Sequence, residues 1–184
     1  MHDAEDKGVP ENRTRIYEYI QNNPGAHLRT ISKVLGLAMG NTQYHLYALE
    51  NAGQIRSRRI YLHRHYYPLT VHEQDEIIVA FLRKETSRDI LIYLLEHPGA
   101  TQGNIANFKS FSVPTISWHL SRLVESRIVV GNKEGRFVGY FISPDVTNLT
   151  GLLKIYHPNI WNKLADRFAE LFLELSSRGE EERK

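Results

Sequence analysis

Arg56, Arg58, Arg59, His63, Arg64 and His65 fall within ten residues, with no acid among them. Arginine pairs bidentately with phosphate, and uncompensated charge of one sign repels itself unless a polyanion answers it. Arg13, Arg15, Arg29 and Lys33 lie upstream and extend the same charge. The net charge of +2 conceals this asymmetry: residues 12–70 hold eight Lys and Arg against two acids, whereas residues 71–146 hold eight against nine. Sign and spacing together predict a phosphate-backbone contact centred on Arg56, Arg58, Arg59 and Arg64, with Arg29 and Lys33 adding to it.

The remaining chemistry is mostly exclusion. His63 and His65 stand two apart, which on a strand makes a usable ligand pair, and His72 and His27 are the candidates for a third ligand. Neither has a suitable spacing, so no metal and no cofactor are expected. No nucleophile–base–acid set, glycine-rich phosphate loop or pair of catalytic carboxylates is present, and no enzyme activity is expected. Cysteine is absent, which removes disulfides, thiolate nucleophiles and thiolate metal sites. No apolar run approaches the roughly 18 residues of a membrane span. Residues 1–10 are acidic and polar rather than a leader, so a cytoplasmic protein is expected.

The elements that position these side chains are written twice. Residues 14–67 lie on residues 88–141 at a constant offset of 74, without a gap and with ten identities. Among them are Pro24-Gly25-Ala26 on Pro98-Gly99-Ala100 and His45-Leu46 on His119-Leu120. One duplication is too few for a solenoid, where about three repeats are needed. It predicts two compact domains of one fold in tandem. Each is near the lower size limit for stability, so the two should lean on each other or on shared helices.

Each copy has one grammar. Helices are expected over 14–22 and 88–96, each stopped by Pro-Gly, then over 27–35 and 101–108. A third helix packs through Thr42, Leu46 and Leu49, or through Ile116, Leu120 and Leu123, at i, i+4, i+7. Ser112 ahead of Val-Pro is a good N-cap, whereas its counterpart Ala38 has no side chain to cap with. The period then switches to two, predicting strands over 55–58 and 61–67 and over 128–130 and 137–142. Three helices and a hairpin make a winged helix-turn-helix. The expected fold is therefore mostly α with small β-hairpin wings: domains over 12–70 and 86–146, a linker helix over 71–85 and a C-terminal segment over 147–178.

The runs NTQYHLYALENAGQI (41–55) and SVPTISWHLSRLVESRI (112–128) resemble the recognition helix and first wing strand of ArsR- and MarR-type transcriptional regulators. The duplicated arrangement is similar to archaeal regulators with two helix-turn-helix domains in one chain. The resemblance covers both repeats and not the tail. It implies a sequence-specific regulator of double-stranded DNA, contacting DNA chiefly through the first copy. Asn41, Gln43, Tyr44 and Tyr47 lie on the outward face of that recognition helix, and Ser117 and Arg122 on the second, with Arg136 on the second wing. His45 and His119 read as partly buried packing residues. A chain ending near Thr70 should keep salt-sensitive DNA affinity.

The linker holds Ile77, Ile78, Ala80, Phe81 and Leu82 after an acidic start and is too apolar for a tether. In the tail, Ile160, Leu164, Phe168, Leu171, Phe172 and Leu175 form a stripe at helical spacing. It is expected either to cover the second domain or to make a homodimer, since two-fold regulators bind two half-sites. Alternatives are a protein-interaction module, with Trp118 docking RNA polymerase or a general transcription factor, and a non-specific nucleic-acid-binding protein.

Overall fold

The computed structural model describes the backbone of residues 8–108 and 110–181. Both copies open with a helix, α1 (Gly8–Asn22) and its counterpart over Glu85–Glu96, and both helices stop at Pro-Gly. Gly25 and Gly99 adopt φ of 77° and 84°, a left-handed region that disfavours a Cβ. Their N–H groups each donate to a sheet carbonyl, of Tyr66 and Tyr140, at 2.8 Å. The turn thereby delivers a two-residue strand to the sheet, β1 (Ala26–His27) in the first copy. Sequence periodicity could not reveal so short a strand.

Next in the first copy come α2 (Leu28–Leu35), α3 (Met39–Asn51), β2 (Ile55–Ile60) and β3 (His63–Pro68). A 3-10 turn (Glu73–Asp75) and α4 (Glu76–Leu82) lead to the second copy. It runs α5 (Glu85–Glu96), β4 (Ala100–Thr101), α6 (Gln102–Phe108), α7 (Val113–Glu125), β5 (Val129–Glu134) and β6 (Phe137–Ile142). Each sheet is antiparallel, ordered β1-β3-β2 and β4-β6-β5. The register repeats too, with Ala26 opposite Tyr66 and Ala100 opposite Tyr140.

The first core joins Ile16, Ile20, Ala26, Ile31, Leu46, Leu49, Ile55 and Tyr66. Residues 74 positions on, from Ile90 and Leu94 to Leu120 and Leu123, are buried in the same way. At the starts of α3 and α7 the predicted asymmetry holds. Ser112 Oγ accepts from the Thr115 N–H at 3.3 Å, whereas Ala38 offers no side-chain cap. Thr42 Oγ1 instead donates back to the Ala38 carbonyl at 3.0 Å.

The hairpins differ from the sequence expectation at their tips. Strands β2 and β5 run farther than 55–58 and 128–130, and Tyr61 is in the turn rather than in a strand. Tyr61-Leu62 and Gly135-Arg136 are the two turn residues, bracketed by the Ile60–His63 and Glu134–Phe137 pairs. Glycine marks the turn in the second wing; the first has no turn residue to mark it.

The linker is a core element. Ile78, Val79, Ala80, Phe81 and Leu82 are all buried, and both copies with α4 form one compact unit ending at Asp145. Residues from Val146 form a second unit with α8 (Leu149–Tyr156) and α9 (Pro158–Glu181). On α9, Leu164 is buried, Ile160 half-buried and Phe168 exposed. The side chains of Leu171, Phe172 and Leu175 lie outside the described residues, as does that of Glu134. No helix among the described residues is long and apolar enough to cross a membrane.

Candidate nucleic-acid interface

Helix α3 buries Thr42, His45, Leu46 and Leu49 and turns the other side to solvent. Asn41 and Gln43 are exposed there, and Tyr44 and Tyr47 keep 62% and 64% of their surface accessible. A cleft of about 490 Å³ opens beside this face, with Gln43 and Tyr47 on the helix side and His63 and Arg64 on the wing side. Arg29 on α2 lines the same cleft, and Lys33 is exposed one turn farther on.

The wing is not the uncompensated stripe expected from its sequence. Arg56 Nε donates to Glu76 Oε1 at 3.2 Å, its Nη2 donates to the Val71 carbonyl, and its Nη1 stands 3.8 Å from Glu73 Oε1. Arg58 Nη1 lies 3.5 Å from Glu76 Oε2 and donates to the Glu73 carbonyl at 2.8 Å. Arg64 lies 3.5 Å from Glu50, which also accepts from Ser57. The acids come from the linker and from α3, outside the ten-residue window, and the fold brings them in. Arg59 is the wing arginine that remains exposed without an acidic partner among the described residues.

The second copy carries a different surface. On α7, Thr115, Ser117 and Ser121 are exposed and Trp118 keeps 51% of its surface accessible. Arg122, expected to face DNA, is engaged within the chain. Its guanidinium stacks 3.9 Å from the Tyr61 ring, lies 5.3 Å from the Trp118 ring and pairs with Glu125 at 3.8 Å. On the second wing Lys133 is exposed, and Arg136 lies over Phe137 at 5.2 Å. The linker's acidic start was the sequence signal for the Arg56 and Arg58 pairing; nothing local announced the docking of Tyr61.

Family models match this chain twice. Residues 10–78 match an N-terminal helix-turn-helix domain, and residues 83–130 match a winged helix-turn-helix DNA-binding domain. An HTH-type transcriptional regulator of Methanocaldococcus jannaschii is homologous, 33% identical over 144 residues, which is 78% of this chain and 36% of that relative. The chain is a tandem helix-turn-helix protein. It spans little more than a third of the length of that curated relative. Among solved structures, HlyU from Vibrio cholerae has 22% identity and a TM-score of 0.41, covering 46% of this chain and 89% of HlyU. A mutant of MepR from S. aureus, bound to an oligodeoxyribonucleotide, has 20% identity and a TM-score of 0.39, covering 58% and 90%.

Histidines punctuate both helix-turn-helix domains. His45 is buried with no partner for either ring nitrogen among the described residues, whereas His119 Nδ1 meets Ser87 Oγ at 2.9 Å. The position equivalent to Ser87 in the first copy is Arg13, which explains the difference. Each ring packs edge-on to its preceding aromatic, Tyr44 or Trp118. His65 Nδ1 lies 2.7 Å from the Gly25 carbonyl oxygen, and His27 stacks on His63 at 5.4 Å. Among the described residues no group of three or more His, Cys, Asp or Glu could hold a metal ion.

Burial, the largest cause in each case, holds His27, His45, His65 and His119 below the ordinary histidine range. Neighbouring positive charge adds to it, from Arg83 and Arg29 at His27 and from Arg13 at His45. A folded-state pKa below the unfolded one means that the unfolded chain binds protons first as pH falls. Their contribution to stability is complete above about pH 6.5 and is lost as pH falls toward the folded values. Thermal unfolding should therefore shift to lower temperature between pH 7.5 and 5.5, and His45→Leu should flatten part of that slope. A melting temperature independent of pH across this range would contradict the buried neutral histidines.

Proposed function

We propose that this chain is a sequence-specific, double-stranded DNA-binding transcriptional regulator acting in the cytoplasm, with α3 as its reading helix. The observation that carries the reading is the exposed face of α3, where Asn41, Gln43, Tyr44 and Tyr47 stand beside a cleft flanked by Arg29 and Arg64. Asn and Gln can pair bidentately with adenine edges in the major groove. Arg29, Lys33, Arg59 and Arg64 supply phosphate contacts, while Arg56 and Arg58 contribute mainly through the fold. The stripe on α9 supports self-association as a homodimer, which would set two reading helices on two half-sites.

Duplex binding measured across salt concentrations tests this. Each phosphate contact contributes about 0.9 to the log–log slope, so Arg29, Lys33, Arg59 and Arg64 changed together to Ala should flatten the slope and weaken all sequences alike. Gln43→Ala or Asn41→Ala should instead cost roughly 1–3 kcal/mol at one base pair and relax preference there. Wild-type discrimination in both single variants would remove α3 from the groove. A second reading has its own support: Val113, Trp118, Phe137 and Val138 are all exposed apolar side chains on the second copy. Such side chains suit protein docking, with RNA polymerase or a general transcription factor as the partner class.

A further inference from the structure

The tip of the first wing holds an unfavourable residue for its conformation. Tyr61 adopts φ of 53°, and the equivalent position of the second wing is Gly135 at 61°. Glycine takes this region without penalty, whereas a side chain there has to be held by its surroundings. The surroundings are on the other copy and on α4. Tyr61 Oη donates to the Arg122 carbonyl at 3.0 Å and lies within 3.3 Å of Glu125 Oε2 and Ser126 Oγ. Its ring receives the Arg122 guanidinium on one side and packs edge-on to Phe81.

Trp118, Arg122 and Glu125 are spaced i, i+4, i+7 and lie opposite the buried Ile116, Leu120 and Leu123. They are therefore the outward face of α7. The repeat supplies an internal comparison, because the equivalent positions on α3 are Tyr44, Ala48 and Asn51. Tyr44 and Asn51 are exposed, and among the described residues no wing reaches them. One copy presents its outward face bare; on the other the neighbouring hairpin bridges the C-terminal half of that face, at Arg122, Glu125 and Ser126, and leaves Thr115, Ser117 and Ser121 exposed.

We propose that the tip of the first wing is a clasp on α7, withholding that helix from DNA so that each chain reads a groove through α3 until Tyr61 is released. The proposal rests on the DNA-binding reading for its consequence, but not for the clasp itself. The major groove is about 12 Å wide and a helix with its side chains about 10–12 Å across, so a hairpin on the outward face leaves no room for insertion.

The test uses the full chain with Trp161→Phe, which leaves Trp118 as the single tryptophan. Tyr61→Gly removes the clasp and suits the turn; Arg122→Ala opens it from the other side should the first variant fold poorly. Both should shift Trp118 emission to the red and increase its quenching by acrylamide, while Tyr61→Phe should fall between them and the parent. On DNA, Ser117→Ala should weaken binding about fivefold more in the Tyr61→Gly chain than in the clasped chain, and the opened chain should give a longer hydroxyl-radical footprint. Identical Trp118 spectra in parent and opened chains would overturn the clasp. A released Trp118 with an unchanged footprint, and Ser117→Ala equal in its effect on both chains, would overturn the withheld reader. Absence of DNA binding by every chain would overturn the DNA reading itself, with the Trp118 signal still deciding the clasp.

Discussion

Replacing Arg56 with alanine is expected to destabilise the compact unit by about 2–4 kcal/mol and to lower its melting temperature by on the order of 10 °C. The reason lies in Glu76, whose side chain is only 5% exposed and whose carboxylate is held by Arg56 and Arg58. Removing one partner of a buried ion pair leaves charge out of water without compensation, and this costs more than the intact pair contributes. Arg58 retains part of the neutralisation, which keeps the expected loss below that of a fully orphaned carboxylate. Arg59→Ala, at an exposed position outside this network, should stay within about 0.5 kcal/mol of the parent. Changing Glu76 to Gln in the Arg56→Ala chain should recover much of the loss. Thermal melts of the four proteins decide the matter, and a parent-like melt for Arg56→Ala would contradict the network. Weaker DNA binding by that variant would then report folding, which is why the salt-slope test leaves Arg56 intact.

A fragment ending at Thr70 is expected to show no cooperative melt, whereas one ending at Asp145 should melt much as the whole compact unit does. The cut at Thr70 falls at the sequence boundary of the first copy but inside its fold. It removes Glu73 and Glu76 from Arg56 and Arg58, and the carbonyl that accepts from Tyr67 Oη at 2.8 Å. Tyr67 is fully buried, and Ile78 to Leu82 are buried beside the copies they join. Losing the four large buried side chains Ile78, Val79, Phe81 and Leu82 at roughly 1.5–3 kcal/mol each removes on the order of 10 kcal/mol. That rivals the 5–15 kcal/mol by which a whole domain is stable. This expected result is the opposite of the sequence-based one, that such a fragment keeps salt-sensitive DNA affinity, and the fragment decides between them. Calorimetry and amide dispersion in NMR would show it, and a sharp two-state transition for the short fragment would restore the independence of the first copy.

The parts of this molecule legible in sequence are those governed by local period and by repetition. Leu46 and Leu49 find their places at helical spacing, Ser112 caps as its chemistry requires, and the offset of 74 aligns one hydrogen-bond register with the other. The polar face of α3 follows from the same period. Pairing over distance was not legible. Arg56 and Glu76 are 20 positions apart, and Tyr61 and Arg122 are 61 apart. No periodicity links such residues; only the packed fold does. The first wing's turn was misplaced for a related reason, because Tyr61 holds a glycine-like conformation through contacts made by another domain. Charge counted in a window of sequence overstates charge on the surface whenever the fold recruits acids from outside that window.

Glu73 and Glu76 lie outside the repeated segment, and the residues 74 positions beyond them are Thr147 and Thr150. The two copies are therefore no longer interchangeable parts. Transplanted into the second position, the first copy would carry Arg56 and Arg58 to a place where hydroxyls follow instead of carboxylates. The second copy, moved forward, would set Val130 and Asn132 opposite the linker acids and leave Glu76 buried beside an apolar strand. A chimera with the copies exchanged would thus inherit both helix-turn-helix folds and lose the ionic seam that joins the first of them to its linker.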